Sequence, residues 1–190
     1  METQQYVIAY KVEQDRLRAM LPEGFSSLRP VLRINAEVRG GTVGYVELNT
    51  AAEFGGSRGR LNVGHWDDAP FARRGRTTTF RTELLEISFT GVGIAGGCPA
   101  EKDNAGCYFI GEMPALRKPD VITAAKEFCD CVFAWSAVAG GACGRSEGRT
   151  LPAYPEEVRV VYPRTQLTAE NAAKLPCEQV LGAYTVTFER

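Results

Sequence analysis

Gly44-Tyr-Val-Glu-Leu-Asn-Thr-Ala-Ala-Glu-Phe-Gly-Gly-Ser-Arg-Gly-Arg-Leu-Asn-Val-Gly-His-Trp66 is the stretch on which the fold turns. It reads as strand, Phe-x-Gly-x-x-Gly turn, strand. Glycine tolerates the backbone conformations that a tight connection needs, so the turn and its flanks predict a hairpin. Working outward, an extended segment, Arg29-Pro-Val-Leu-Arg-Ile-Asn-Ala-Glu-Val38, precedes it. Before that stand a strand from Gln5 to Tyr10 and a short helix that stops at Leu21-Pro22.

Strand-type segments continue along the chain at Thr77–Val92, Gly106–Glu112, Glu157–Tyr162 and Val180–Glu189. In Ala183-Tyr-Thr-Val-Thr-Phe188 the apolar and aromatic residues fall on one face and the threonines on the other. Three helices are expected. Val12, Leu17, Met20 and Leu21 make one stripe, ended by Pro22. Val121, Ala125, Phe128, Cys129 and Val132 recur at helical spacing from an Asp120 cap to about Trp135. Thr168 caps a short run from Ala169 to Lys174, closed by Pro176. Many strands and one substantial helix predict an α+β, mainly β architecture. The expected sheet is antiparallel or mixed, a closed or cone-shaped barrel with one main helix. The 190 residues fit a single domain spanning 1–190.

A net charge of -1, with acids and bases interspersed, gives no electrostatic footprint for nucleic acid or for an anionic membrane. The polar opening, Met-Glu-Thr-Gln-Gln5, lacks the basic and apolar regions of a signal peptide, so a cytoplasmic protein is expected. Its six cysteines are then read as reduced thiols.

Three motifs look chemical and read as ordinary. Gly91-Val-Gly-Ile-Ala-Gly96 has dinucleotide-loop spacing, but no helix pattern follows whose amides would face a pyrophosphate. A glycine-rich turn is expected, and no cofactor. Gly144-Arg-Ser-Glu-Gly148 has nucleophile-elbow spacing. However, the single histidine, His65, comes before it and Pro152 stands where the helix should run. Cys98 and Cys107 have no paired C-x-x-C to complete a tetrahedral site, so no metal is expected; Cys143 is the thiol to test for reactivity. His65 is weighed both as a general base and as a strand residue satisfied by a hydrogen bond.

The order of strand, short helix ending in Leu-Pro, strand, Tyr45-Val-Glu47 strand and Phe54-x-Gly-x-x-Gly turn resembles the acetoacetate decarboxylase superfamily. In that family a lysine forms an imine with a ketone, its pKa lowered by a second lysine and by desolvation. The resemblance implies a β-barrel or cone with a central pocket, and a homo-oligomer. It makes Glu47 the pocket carboxylate and keeps Arg33 from the neighbouring strand, where Asn35 replaces a family glutamate. After the Gly75-Arg76 anchor, Glu83 and Leu84 stand near the positions of the family's Pro-Lys-Lys pair. A divergent member is therefore expected, binding a small keto or carboxylic molecule without Schiff-base decarboxylation. Glu47, Arg33, Glu83 and His65 are its candidate site residues, with Arg81 nearby. The alternatives are a decarboxylase or lyase using Lys102 as the imine-forming amine, and a non-enzymatic carrier. Cross-strand ion pairing on a solvated face is the plain alternative for these charges.

Overall fold

The computed structural model describes residues 1–96, 100–102, 120–122, 124–136 and 167–189. Nine of its strands belong to one sheet. They are β1 (Glu2–Lys11), β2 (Phe25–Arg39), β3 (Val43–Phe54), β4 (Ser57–Asp67), β5 (Phe71–Arg74), β6 (Thr77–Arg81), β7 (Leu85–Ala95), β10 (Glu127–Trp135) and β11 (Gln179–Glu189). The sheet is antiparallel, in the order β4-β3-β2-β1-β11-β10-β7-β6-β5. A separate two-stranded ladder joins β8 (Ala100–Lys102) to β9 (Asp120–Ile122). The large sheet is a curled half-barrel, mainly β as expected. The hairpin predicted around Gly55-Gly56 is the β3–β4 pair, with Phe54 opposite Ser57.

Alternation gives the sheet its two faces. Tyr6, Ile8 and Tyr10 of β1, Leu32 and Ile34 of β2, and Val46 and Leu48 of β3 all point to one side and are almost completely buried. Curling brings β6 and β7 over this side, so that the Tyr6 ring lies 5.4 Å from both Phe80 and Phe89. Burying side chains of this size stabilises by about 1.5–3 kcal/mol each, which makes this core the main force holding the curl. Gly44 marks a tight point in it. A Cβ there would strike the backbone oxygen of Ala69, whose own N–H donates to the Gly44 carbonyl at 3.0 Å.

Helix α1 (Gln14–Met20) forms where its stripe predicts, and buries Leu17 in the same core. Its N-cap is Glu13, whose carboxylate accepts the N–H groups of Asp15 and Arg16. Helix α2 (Ala169–Ala172) is capped by Thr168, as the sequence indicates, and buries Ala169 and Ala172.

The expected helix from Val121 to Trp135 is not one. Asp120–Ile122 is strand β9, and Glu127–Trp135 is strand β10, paired with β7 from Cys129 opposite Gly91 to Trp135 opposite Leu85. Burial along β10 alternates, with Cys129, Cys131, Phe133 and Trp135 facing in and Phe128, Asp130, Val132 and Ala134 facing out. The outward Phe128 and Val132 supply apolar residues at helical spacing and hide the period of two. The segment that reads as a single strand, 77–92, is two strands joined through a turn at 82–84. The glycine-rich turn expected at 91–96 is mostly the end of β7. Predicted strands 106–112 and 157–162, the loop around Ser146, and Cys98, Cys107 and Cys143 lie outside the described residues. Among the described residues, no helix is long and apolar enough to cross a membrane.

Candidate functional site

The face of β1–β4 opposite the apolar core is polar and nonetheless buried. Its position follows from register. Tyr184 of β11 stands opposite Val7 of β1, Val7 opposite Asn35 of β2, Asn35 opposite Glu47 of β3, and Glu47 opposite His65 of β4. Two residues along the strands, three in β4 where the register shifts, Gly182, Ala9, Arg33, Asn49 and Asn62 form a parallel row. Asn35, Glu47 and Asn49 are fully buried, and Arg33 is 6% exposed. A buried carboxylate or guanidinium is costly unless hydrogen-bonded, so the pattern of bonds here is what makes the face tenable.

Glu47 is bonded at both oxygens by its neighbours two residues away on the same strand. The Tyr45 hydroxyl donates to Oε2 at 2.7 Å and the Asn49 amide donates to Oε1 at 2.9 Å. Burial first, then the charge of Glu47 and this bond, push the Tyr45 phenol well above its ordinary range, which keeps it the donor. The Arg39 guanidinium covers the Tyr45 ring at 4.0 Å and donates to the buried Glu37 at 2.7 Å. His65 lies at the end of the row, its Nε2 3.5 Å from Asp67. Desolvation lowers the imidazole pKa, opposed by Asp67, so the neutral ring is favoured near pH 7.

Beside this network is a cavity of about 350 Å³ whose walls include Arg29, Arg33, Asn49, Arg60, Lys126, Phe128, Leu181 and Tyr184. Tyr184 organises two of the cations. Arg33 Nη2 lies 3.4 Å from its hydroxyl, and the Lys126 ammonium sits 4.6 Å from its ring centroid. Lys126 is itself only 7% exposed. Arg60 Nη1 donates to Asn49 Oδ1 at 3.5 Å, so a chain Arg60–Asn49–Glu47 runs from the cavity wall to the buried carboxylate.

The structure thus gathers Arg33, Glu47 and His65 on one buried face and places Glu83 and Arg81 elsewhere. Glu83 is exposed in the β6–β7 turn, while Leu84 beside it is 5% exposed in the core. Arg81 pairs with Glu86 at 2.8 Å on the outer surface. Lys102 lies in β8 opposite Asp120, apart from the large sheet, and its side chain is outside the described residues. Lys126, Arg60, Asn49 and Tyr184 join the site without having been candidates from sequence. Alternation from Glu47 points to Asn49, and the period of β11 places Tyr184 on a face. No local pattern marks Lys126, which falls off the apolar stripe of the expected helix.

No family model matches the sequence, and no curated protein sequence does. Solved structures match over nearly the whole chain. Acetoacetate decarboxylase from Legionella pneumophila subsp. pneumophila str. Philadelphia 1 superposes with a TM-score of 0.51 at 9% identity, over 98% of this chain and 81% of that one. An acetoacetate decarboxylase-like enzyme from Sphingomonas wittichii RW1 gives 0.52 at 11% identity, over 98% and 87%. A further acetoacetate decarboxylase structure gives 0.52 at 9% identity, over 97% and 82%. Glu47, Arg33 and the sheet that carries them are therefore set in the scaffold their sequence motifs indicate: this chain is a divergent protein of the acetoacetate decarboxylase-like fold.

Proposed function

We propose that the cavity beside Glu47 binds a small organic carboxylate or keto acid, and that it does so without forming an imine. The observation that carries this reading is the pairing of Arg33 and Lys126 about Tyr184. Two buried cations flank one ring in a hollow of the size used by small metabolites. Arg33 and Arg60 present guanidinium forks suited to a carboxylate, and the apolar wall from Phe128 and Leu181 suits a short carbon chain. Glu47, linked to the wall through Asn49, is the group to accept or return a proton if the ligand is turned over, and His65 is the second. Glu83, exposed on the far turn, has no part in it. Assembly into a homo-oligomer belongs to the same reading, supported by the outward Val132 and Ile94, 75% and 60% exposed. Light scattering tests it.

A second reading is favoured by the same lysine. An amine inside the cavity is the group that condenses with a ketone, and Lys126 lines this hollow. Calorimetry with pyruvate and acetoacetate, followed by borohydride reduction and peptide mass mapping, separates the two. Saturable binding weakened at least tenfold in Arg60→Met and Lys126→Met, with no covalent adduct, supports the proposal. A reduced adduct on Lys126 establishes the second reading, and the absence of any saturable binding overturns both.

A further inference from the structure

A second cavity of about 340 Å³ lies on the opposite face of the same strands. Its position is a matter of odd and even residues. Tyr6, Thr185 and Glu127 stand in one cross-strand row and line this cleft. Their chain neighbours Val7, Tyr184, Lys126 and Phe128 line the first cavity. The two hollows are back to back across a single layer of backbone.

The floor of the cleft is a hydroxyl pair, Tyr6 and Thr78, 2.9 Å apart and both nearly inaccessible. Two guanidinium groups form its rim, from strand β5 and the β5–β6 turn. Arg73 is held by the Gln4 side-chain oxygen at 2.7 Å and bonds to no carboxylate among the described residues. Arg76 is fixed twice, by its Nε donating to the Gly91 carbonyl at 2.8 Å and by its ion pair with Glu127. Glu127 in turn accepts the Gly93 N–H at 2.7 Å. That bond first, then Arg76, lowers its pKa and keeps it ionised. The glycine at 91 is what lets it lie there, since a Cβ would come within 2.5 Å of Glu127 Oε1. Glu127 thus works as an orienter of Arg76. Two cations against one carboxylate leave the rim positive, above a bonded hydroxyl pair that keeps one proton to donate.

We propose that this cleft binds a phosphate group, carried by inorganic phosphate or by a small phosphomonoester. The converging donors are the Arg73 fork, the N–H groups of Arg76 not given to Gly91 and Glu127, and the one hydroxyl proton not used within the Tyr6–Thr78 bond; together they outnumber what the two oxygens of a carboxylate take up. They suit the three or four oxygens of a phosphate. The volume exceeds that of a bare phosphate, so there is room for a small attached group.

The test is isothermal calorimetry on the intact protein at fixed ionic strength, with inorganic phosphate and glycerol 2-phosphate as probes. One saturable site is expected, weakened at least tenfold in Arg73→Met and unchanged in Lys126→Met. Tighter binding of the ester than of the free ion identifies the attached group as part of the ligand; equal binding identifies the free ion. Arg73 is exposed, so its replacement leaves the fold intact, and matched melting curves without ligand verify this. The proposal is overturned if neither probe saturates, or if Arg73→Met binds like the parent. It is overturned equally if Lys126→Met abolishes binding, because the phosphate then occupies the first cavity. The Arg73→Met result is independent of whether keto acids enter that first cavity.

Discussion

Replacing Tyr45 by phenylalanine removes one oxygen from the interior and leaves the ring in place beneath Arg39. The lost group donates to Glu47 Oε2 at 2.7 Å inside a face where the acceptor residue is fully buried. Hydrogen bonds to charged groups contribute about 1.5–3 kcal/mol, and the ring's packing is retained, so the expected destabilisation is about 2 kcal/mol. In a chain of this size that corresponds to a fall in Tm of roughly 4–8 °C. Urea unfolding of both proteins at pH 7 measures it directly. The pH dependence adds a sharper test. The folded-state phenol is raised well above its usual value near 10, by burial first and then by Glu47. Above pH 10 the unfolded chain therefore releases this proton more readily than the folded one. The stabilisation from Tyr45 is complete below pH 10 and is lost as the pH climbs past it. The other buried tyrosines titrate in both proteins and cancel. The gap between parent and variant should accordingly be flat from pH 7 to 9 and narrow above 10. A gap under about 0.5 kcal/mol at pH 7, or one that persists unchanged at pH 11, refutes the assigned role, given the range of such bonds.

Gly44→Ala should cost about 3 kcal/mol or more in chemical denaturation, because the new methyl strikes the Ala69 backbone oxygen, which cannot rotate away. The single histidine gives one imidazole signal, and its proton resonance should titrate with a midpoint below 6.5, since desolvation outweighs Asp67. Stability from the neutral His65 is then lost as pH falls from 6.5 toward that lower midpoint, and His65→Gln should flatten this segment of the curve. Burial pushes the Cys129 and Cys131 thiols up to about 11 and about 12. In timed alkylation at pH 8 with peptide mapping, the exposed Cys177 should be modified before either of them.

The half of the sheet that carries the candidate site is legible in the sequence because its signals are local. Arg33 and Asn35, or Tyr45, Glu47 and Asn49, share a face by simple alternation, and a glycine turn fixes the β3–β4 register. Cap chemistry at Thr168 likewise needs only four residues. The β10 segment misleads for the opposite reason. Its outward face carries Phe128 and Val132, so both faces look apolar and the helical spacing wins by coincidence; only pairing with the distant β7 settles it. Lys126 is lost with it, since its meaning comes from Tyr184, far along the chain. Strand β5 is four residues long and is set by its pairing with β6, from Phe71 opposite Phe80 to Arg74 opposite Thr77. Glu83 is a candidate only by its position relative to Gly75-Arg76, and a turn of the backbone there carries it outward.

The parity of strand β10 imposes a constraint on how this protein can change. Substitution at 126 to 129 alters one hollow at a time, because neighbouring side chains serve different compartments. Inserting or deleting a single residue there would swap the two sets. An ammonium and a phenyl ring would be driven among the hydroxyls, while a carboxylate and a thiol would enter the space around Tyr184. Variants with length changes in this short segment should be lost from any library selected for either binding activity, whereas point changes survive on one side of the partition.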